Sequence, residues 1–114
     1  MKIAVTAQGN DLDAPVSPTF GRCPTFIFID TETDELVAVA NPAMTAPGGA
    51  GPQAAQLVAD HGAKAVLTNK IGPRALGALQ AAGIEAFSVK PGTVREALEA
   101  YKAGELLPIR TFTM

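Results

Sequence analysis

Apolar residues follow two kinds of pattern along this chain, short β-rich runs and longer stretches with helical spacing. The short runs predict strands at residues 2–7, 25–30, 36–40, 65–68 and 84–87. The helical spacing predicts helices at residues 52–61, 73–82 and 93–102. Thr93 and Glu96 have the spacing of a capping box at the start of the last helix. The chain is therefore predicted to begin with strands and to continue with alternating helices and strands.

This element order predicts an α/β fold. The polar link between residues 30 and 36 indicates an antiparallel hairpin, whereas the second half follows βαβ logic with parallel strands and right-handed crossovers. We expect a three-layer α/β/α sandwich around a mixed five-stranded sheet, with the strand at residues 2–7 in a central position. Residues 106–114 have no clear pattern. Residues 1–109 are therefore predicted to form a single domain, and residues 110–114 a frayed tail.

The composition of the chain limits the classes of protein to which it can belong. A chain of 114 residues with 47% hydrophobic content supports one core without disulfides. Nine basic and eleven acidic residues give a formal charge of −2, without a Lys or Arg run, which argues against a nucleic-acid surface. The apolar N-terminal stretch is too short for a signal peptide or a membrane span, so we expect a cytoplasmic protein without a membrane partner.

Three loops rich in Gly and Pro carry the candidate chemistry, at residues 17–24, 48–52 and 71–74. The second and third lead into predicted helices, whose starts offer backbone N–H groups and the positive end of the dipole. In such folds ligands bind beyond the carboxyl ends of the strands. If these loops converge, they form an anion-binding site.

Charged residues beside these loops support an anion. Arg22, Lys70 and Arg74 border them, and cations at a helix start are electrostatically misplaced unless an anion lies between them. Solvated surface cations are the alternative interpretation. Cys23 could add a soft thiolate donor, or it could be a small buried hydrophobic residue. His61, the only histidine, is expected to cap the first helix, and no nucleophile and base pair is evident.

Four motifs in register resemble a known family. They are the first strand with its polar loop, the Phe20-Gly21-Arg22 turn, the Gly49-Ala50-Gly51 helix start and the Ile71-Gly72-Pro73 turn. Together they resemble the dinitrogenase iron-molybdenum cofactor biosynthesis family over nearly the whole chain, from Met1 to about Ile109.

The resemblance implies a ribonuclease-H-like fold and non-enzymatic handling of metal–sulfur clusters. Some members carry or store iron–molybdenum cofactor precursors, and the small orange proteins carry a molybdenum–copper sulfide cluster. The single-domain length is nearest to that last kind. We expect such a cluster to be absent from protein produced without it. A protein partner remains unknown from the sequence.

The candidate cluster-binding residues follow from the loops and from the resemblance. They are Thr19, Phe20, Gly21, Arg22, Cys23, Gly49, Ala50, Gly51, Lys70, Gly72 and Arg74. Cys23 is the candidate metal ligand among them. The family often has histidine before Phe-Gly, where this chain has Thr19, so no imidazole ligand comes from that position.

Two other functions stay open at this point. A metal-dependent hydrolase on a ribonuclease-H-like fold would need several inward carboxylates at strand ends that hold magnesium. Only Asp30 is close to such a place, whereas Asp11 and Asp13 are in a loop. A regulatory or scaffold module would bind a protein partner, and its glycine loops would be structural only. Visible colour after anaerobic preparation would distinguish a cluster protein from both.

Overall fold

The computed structural model describes residues 1–110, and the part of the predicted tail at residues 111–114 lies outside them. In chain order the elements are β1 (Lys2–Ala7), β2 (Thr25–Asp30), β3 (Leu36–Ala40), a 3-10 turn (Pro42–Thr45), α1 (Ala50–Asp60), β4 (Ala65–Thr68), α2 (Pro73–Ala81), β5 (Glu85–Ser88), α3 (Val94–Lys102) and β6 (Leu107–Ile109). The five predicted strands and three predicted helices are all present, with ends that differ by no more than two residues.

One mixed sheet contains all the strands of residues 1–110, in the order β3-β2-β1-β4-β5-β6. β1, β4 and β5 are parallel, whereas β2, β3 and β6 pair antiparallel to their neighbours. β1 lies inside the sheet, as predicted. β2 begins beside the end of β1, because Thr25 is opposite Ala7. The end of the sheet where β1, β4 and β5 finish, which we call the carboxyl end, therefore also carries the loop before β2.

The prediction of five strands was wrong, because β6 adds a sixth. It pairs with β5 at the edge of the sheet, with Ile109 opposite Ala86. Pro108 in its middle cannot donate a backbone hydrogen bond and is tolerated in strands mainly at sheet edges. Three residues, one of them proline, also give too short a pattern to be distinguished from a loop.

Helices pack against both faces of the sheet because buried side chains alternate along the strands. On β1, Ala4 belongs to the hydrophobic cluster that includes Val58 of α1 and Leu79 of α2. Ile3 and Val5 point the other way, into the cluster that includes Leu98 of α3. Among the described helices, α1 is the longest at 11 residues, and none is long and apolar enough to cross a membrane.

The start of α3 confirms the predicted capping box. The Glu96 N–H donates to the Thr93 hydroxyl over 3.2 Å, and the Thr93 N–H donates to the Glu96 carboxylate over 2.9 Å. Both bonds satisfy donors that a helix start otherwise leaves without an intrahelical acceptor. The capped helix, α3, packs on the face of the sheet opposite α1 and α2.

Candidate anion-binding site

Three chain segments meet at the carboxyl end of the sheet and form a cleft of about 530 Å³. They are residues 19–22 before β2, residues 49–52 at the start of α1, and residues 70–75 at the start of α2. The convergence that the sequence predicted is therefore present. All of the predicted site residues except Cys23 line this cleft.

Backbone hydrogen bonds join the first segment to the third. The Phe20 N–H donates to the Lys70 carbonyl over 3.0 Å, and the Lys70 N–H donates to the Pro18 carbonyl over 2.8 Å. Below them, the buried Thr6 hydroxyl donates to the Ser17 carbonyl over 2.8 Å. The loop is thus tied to the ends of the central strands, and it presents its residues from a rigid base.

Glycine allows the segments to approach each other without intervening side chains. A Cβ on Gly21 would lie 3.0 Å from the backbone nitrogen of Gly51, and a Cβ on Gly51 would lie 3.0 Å from the Cβ of Ala75. Such distances are shorter than ordinary side-chain contacts, so larger residues would separate the three segments. The small residues set the spacing of the cleft walls.

Two helix starts contribute to the cleft. Gly49 caps α1 in the left-handed region, with φ at 69°, which glycine adopts without steric cost. Gly72 caps α2, and Pro73 follows it at the first helical position. Neither cap donates or accepts through a side chain, and neither helix has an acidic residue in its first turn. The positive ends of both dipoles are therefore not neutralised by acidic residues of the helices themselves.

Among the described residues that line the cleft, every charged side chain is positive. Arg22, Lys70 and Arg74 are exposed at its rim, and within residues 1–110 no aspartate or glutamate lines it. Phe20 and Ile71 are almost fully buried beneath it and give the cleft an apolar base. The arrangement suits a bulky anion with polarisable surface better than a small, strongly hydrated cation.

Cys23 does not take part in this arrangement. Its side chain is 0% exposed and belongs to the hydrophobic core, and Asn41 Nδ2 lies 3.7 Å from its sulfur. Burial raises the pKa of the Cys23 thiol from 9.0 to about 12, against the opposing effect of the hydrogen bond with Asn41. A buried, protonated thiol is a poor metal ligand. Its burial in the core, away from the cleft lining, favours a packing role for Cys23 over that of a metal ligand.

His61 and the candidate acids lie elsewhere. The His61 ring stacks on Phe28 with centroids 4.5 Å apart, and its Nδ1 lies 2.9 Å from the Leu57 carbonyl oxygen at the far end of α1. Asp30 ends β2 at the opposite end of the sheet, where backbone hydrogen bonds, chiefly from Glu32, lower its pKa. These positions fit capping and turn roles.

Asp11 and Asp13 do not join Asp30. The Asp13 carboxylate pairs with Arg95 over 3.3 Å on the α3 side, and the Asp11 carboxylate accepts from the Asp13 N–H over 3.0 Å. Within residues 1–110, no group of three or more His, Cys, Asp or Glu side chains is placed to hold a metal ion. The carboxylates named by the hydrolase alternative are thus spread over separate parts of the molecule.

One important residue was missed by the sequence analysis. The buried Asn41 side chain donates to the Gly21 carbonyl over 3.1 Å and to the Cys23 carbonyl over 2.9 Å. The sequence feature that points to it is the Asn41-Pro42 pair directly after a strand. Asparagine in such a turn typically bonds to nearby backbone through its side chain. Ile71, Pro52, Pro73 and Ala75 also line the cleft outside the predicted set.

Comparison with known proteins shows to which family the chain belongs. The model of the dinitrogenase iron-molybdenum cofactor family matches residues 1–104. The chain belongs to this family. The match covers all three segments of the cleft and agrees with the resemblance seen in the four sequence motifs.

Relatives of this family member include solved structures of the same fold. The apo form of the orange protein from Desulfovibrio gigas is 40% identical and has a TM-score of 0.96, over 99% of this chain and 96% of that one. A NifB-like protein from Thermotoga is 34% identical with a TM-score of 0.88, over 99% of this chain and 97% of that one. An uncharacterized protein of Methanocaldococcus jannaschii is 30% identical over 109 residues, which are 93% of this chain and 89% of that protein.

Proposed function

We propose that this protein binds an anionic metal–sulfur cluster at the carboxyl-end cleft and stores or carries it without chemical turnover. The cargo is a molybdenum–copper sulfide cluster or an iron–molybdenum cofactor precursor. The proposal includes a cytoplasmic location and the three-layer, ribonuclease-H-like architecture that the resemblance implies. Membership of the dinitrogenase iron-molybdenum cofactor family and the similarity to the orange protein support a role in the binding or biosynthesis of metal clusters.

The observation that carries the proposal is the charge of the cleft. Three cations surround two helix starts that have no acidic residue in their first turns, and none of the described residues that line the cleft carries a carboxylate. Side chains of one sign around low-dielectric walls concentrate an oppositely charged ligand. A cationic metal ion would be repelled at the same place.

The apolar part of the cleft favours a sulfide cluster over a small oxyanion. A metal already surrounded by sulfide needs few protein ligands, and its soft surface can contact apolar side chains. Phe20 and Ile71 at the base, with Ala50 and Ala75 on the walls, offer such contacts. With Cys23 buried, binding would rest on charge, backbone N–H groups and dispersion.

Anaerobic titration with tetrathiomolybdate and cuprous ion, followed by visible absorbance, tests this function. We expect Arg22→Ala and Lys70→Ala to weaken binding about tenfold to a hundredfold, because a hydrogen bond to a charged group contributes roughly 1.5–3 kcal/mol. Cys23→Ser should bind as the native protein does. Lys64→Ala, which removes an exposed lysine before β4, is the matched control and should also bind normally.

Two results would count against the proposal. If native protein retains no absorbing cluster, cluster binding fails, and the scaffold interpretation gains. If only Cys23→Ser loses the colour, a metal–thiolate bond replaces the electrostatic model.

A further inference from the structure

We infer that Arg22 is a positioning residue, which couples occupancy of the cleft to the adjacent segment of residues 41–46. We call this segment the strap. It contains the 3-10 turn Pro42–Thr45 and precedes the glycine loop at the start of α1. The ligand in this inference is the anionic sulfide of the proposed function, whereas the contacts between Arg22 and the strap are independent of it.

Arg22 holds the end of the strap through one nitrogen. Its Nη1 donates to the Met44 carbonyl over 3.1 Å and to the Ala46 carbonyl over 2.9 Å. Within residues 1–110, its Nε and Nη2 groups have no hydrogen bond to a protein acceptor. Because Arg22 also lines the cleft, these remaining donors are available to an anion there.

Asn41 fixes the beginning of the strap in a different way. Its amide nitrogen binds the carbonyls of Gly21 and Cys23, and its amide oxygen accepts from the Ala43 N–H over 3.1 Å. The side chain is only 4% exposed, and Ala43 is buried. The start of the strap is therefore anchored in the core, while its end depends on the exposed Arg22.

This division makes the end of the strap responsive to the ligand. An anion bound to Nε and Nη2 by charge-assisted hydrogen bonds would fix the guanidinium, whose planar geometry then holds Nη1 against both strap carbonyls. By reciprocity, a strap that is held in place strengthens anion binding by the same factor. Lysine keeps the charge but has a single nitrogen without this planar fork, so it cannot serve both partners in the same geometry.

Amide hydrogen exchange, measured by NMR, reports on the strap directly. The Met44 N–H donates to the Asn41 carbonyl over 3.2 Å, and the Ala46 N–H donates to the Ala43 carbonyl over 3.1 Å. In native protein we expect saturating tetrathiomolybdate with cuprous ion to slow exchange of both amides about tenfold. Arg22→Lys should exchange faster without the probe and show no slowing at saturation. Arg95→Lys on α3, which does not line the cleft, is the matched control and should keep the slowing.

The outcomes separate this inference from the proposed function. If bound probe is visible by absorbance but the strap amides of native protein do not slow, or if Arg22→Lys slows as native protein does, the coupling is refuted. If the probe does not bind at all, the proposed function fails and the ligand coupling fails with it. Amide exchange in the ligand-free proteins still tests whether Arg22 holds the strap. Equal exchange rates of the strap amides in native protein and in Arg22→Lys would overturn the positioning role itself.

Discussion

Gly21 lies directly against Gly51, so that a Cβ on Gly21 would come within 3.0 Å of the Gly51 backbone nitrogen and 3.2 Å of its Cα. Two segments that are thirty residues apart in the chain therefore meet backbone to backbone. The contact sets one side of the cleft, because Gly51 in turn packs on Ala75 of α2. The position of the cations around the cleft depends on these small residues.

Gly21→Ala should therefore reduce both stability and binding. The added methyl group must displace backbone, which costs about 1–3 kcal/mol of unfolding free energy in comparable overpacked sites. Gly48→Ala is the control, because a Cβ there meets no atom within 4 Å. Denaturant unfolding and cluster titration would measure both effects, and equal stability for the two variants would show that the close contact is not needed.

Gly72→Asp should weaken binding of the cluster without lowering the stability of the fold. Gly72 has φ at −79° and ψ at 168°, which any residue adopts, and a Cβ there meets nothing within 4 Å. Aspartate is a favoured N-cap residue. We therefore expect the free energy of unfolding to be unchanged or raised by less than about 1 kcal/mol. Binding of the anionic cluster should fall at least about tenfold, because the new carboxylate stands among the cations.

Gly72→Ser supplies the comparison, since serine caps the helix without adding charge. It should bind more tightly than the aspartate variant in the same titration. Unimpaired binding by Gly72→Asp would contradict an anion site at this helix start.

Burial of Cys23 predicts a loss of stability at high pH. The pKa of its thiol is raised from 9.0 to about 12 in the folded protein, so the unfolded chain releases this proton first. The contribution to stability is complete below pH 9 and is lost between pH 9 and 12, at about 1.4 kcal/mol for each pH unit. Denaturant unfolding over this range should give a steeper decline for native protein than for Cys23→Ala. Parallel declines would mean that the thiol is accessible.

Thr93→Ala should lower stability without changing the affinity of the folded protein. It removes the hydroxyl that accepts from the Glu96 N–H, whereas the backbone N–H at position 93 can still donate to the Glu96 carboxylate; the expected cost is about 1 kcal/mol. The cleft lies among α1, α2 and the loop before β2, so its geometry should be retained. A titration at a temperature where the variant is fully folded tests this, and weakened binding there would reveal coupling between α3 and the cleft.

Most of the fold followed from local patterns. Buried strands such as β4 give an uninterrupted apolar run, and the capping box marks the start of α3 within one residue. The start of α1 was placed too late, because Pro52 suggested the first position whereas the left-handed Gly49 lets the helix begin at Ala50. β6 was not predictable in this way, since its pairing with β5 is a tertiary contact and Pro108 disfavours a strand locally.

The site was predictable as far as loops and charges determine it. Arg22, Lys70 and Arg74 were identified because they border the loops rich in Gly and Pro. The sequence left Cys23 open between a thiolate donor and a buried packing residue, because whether a residue next to a strand points into the core depends on the path of the whole loop. The Asn-Pro pair at Asn41 indicates only its local bond to the Ala43 N–H. Its bonds to Gly21 and Cys23 are tertiary contacts with residues about twenty positions earlier in the chain, which no local pattern encodes.

The cleft exists only when residues 19–22, 49–52 and 70–75 are brought together, so the unfolded chain has no equivalent place for the cargo. On the proposed function, loading then acts as a folding ligand, and cargo at a hundred times its dissociation constant adds about 2.7 kcal/mol to the stability of the folded state. Proteases that act on opened molecules would remove the empty protein faster than the loaded one. The lifetime of the carrier in the cell would thus follow the supply of its cargo, without a dedicated regulator.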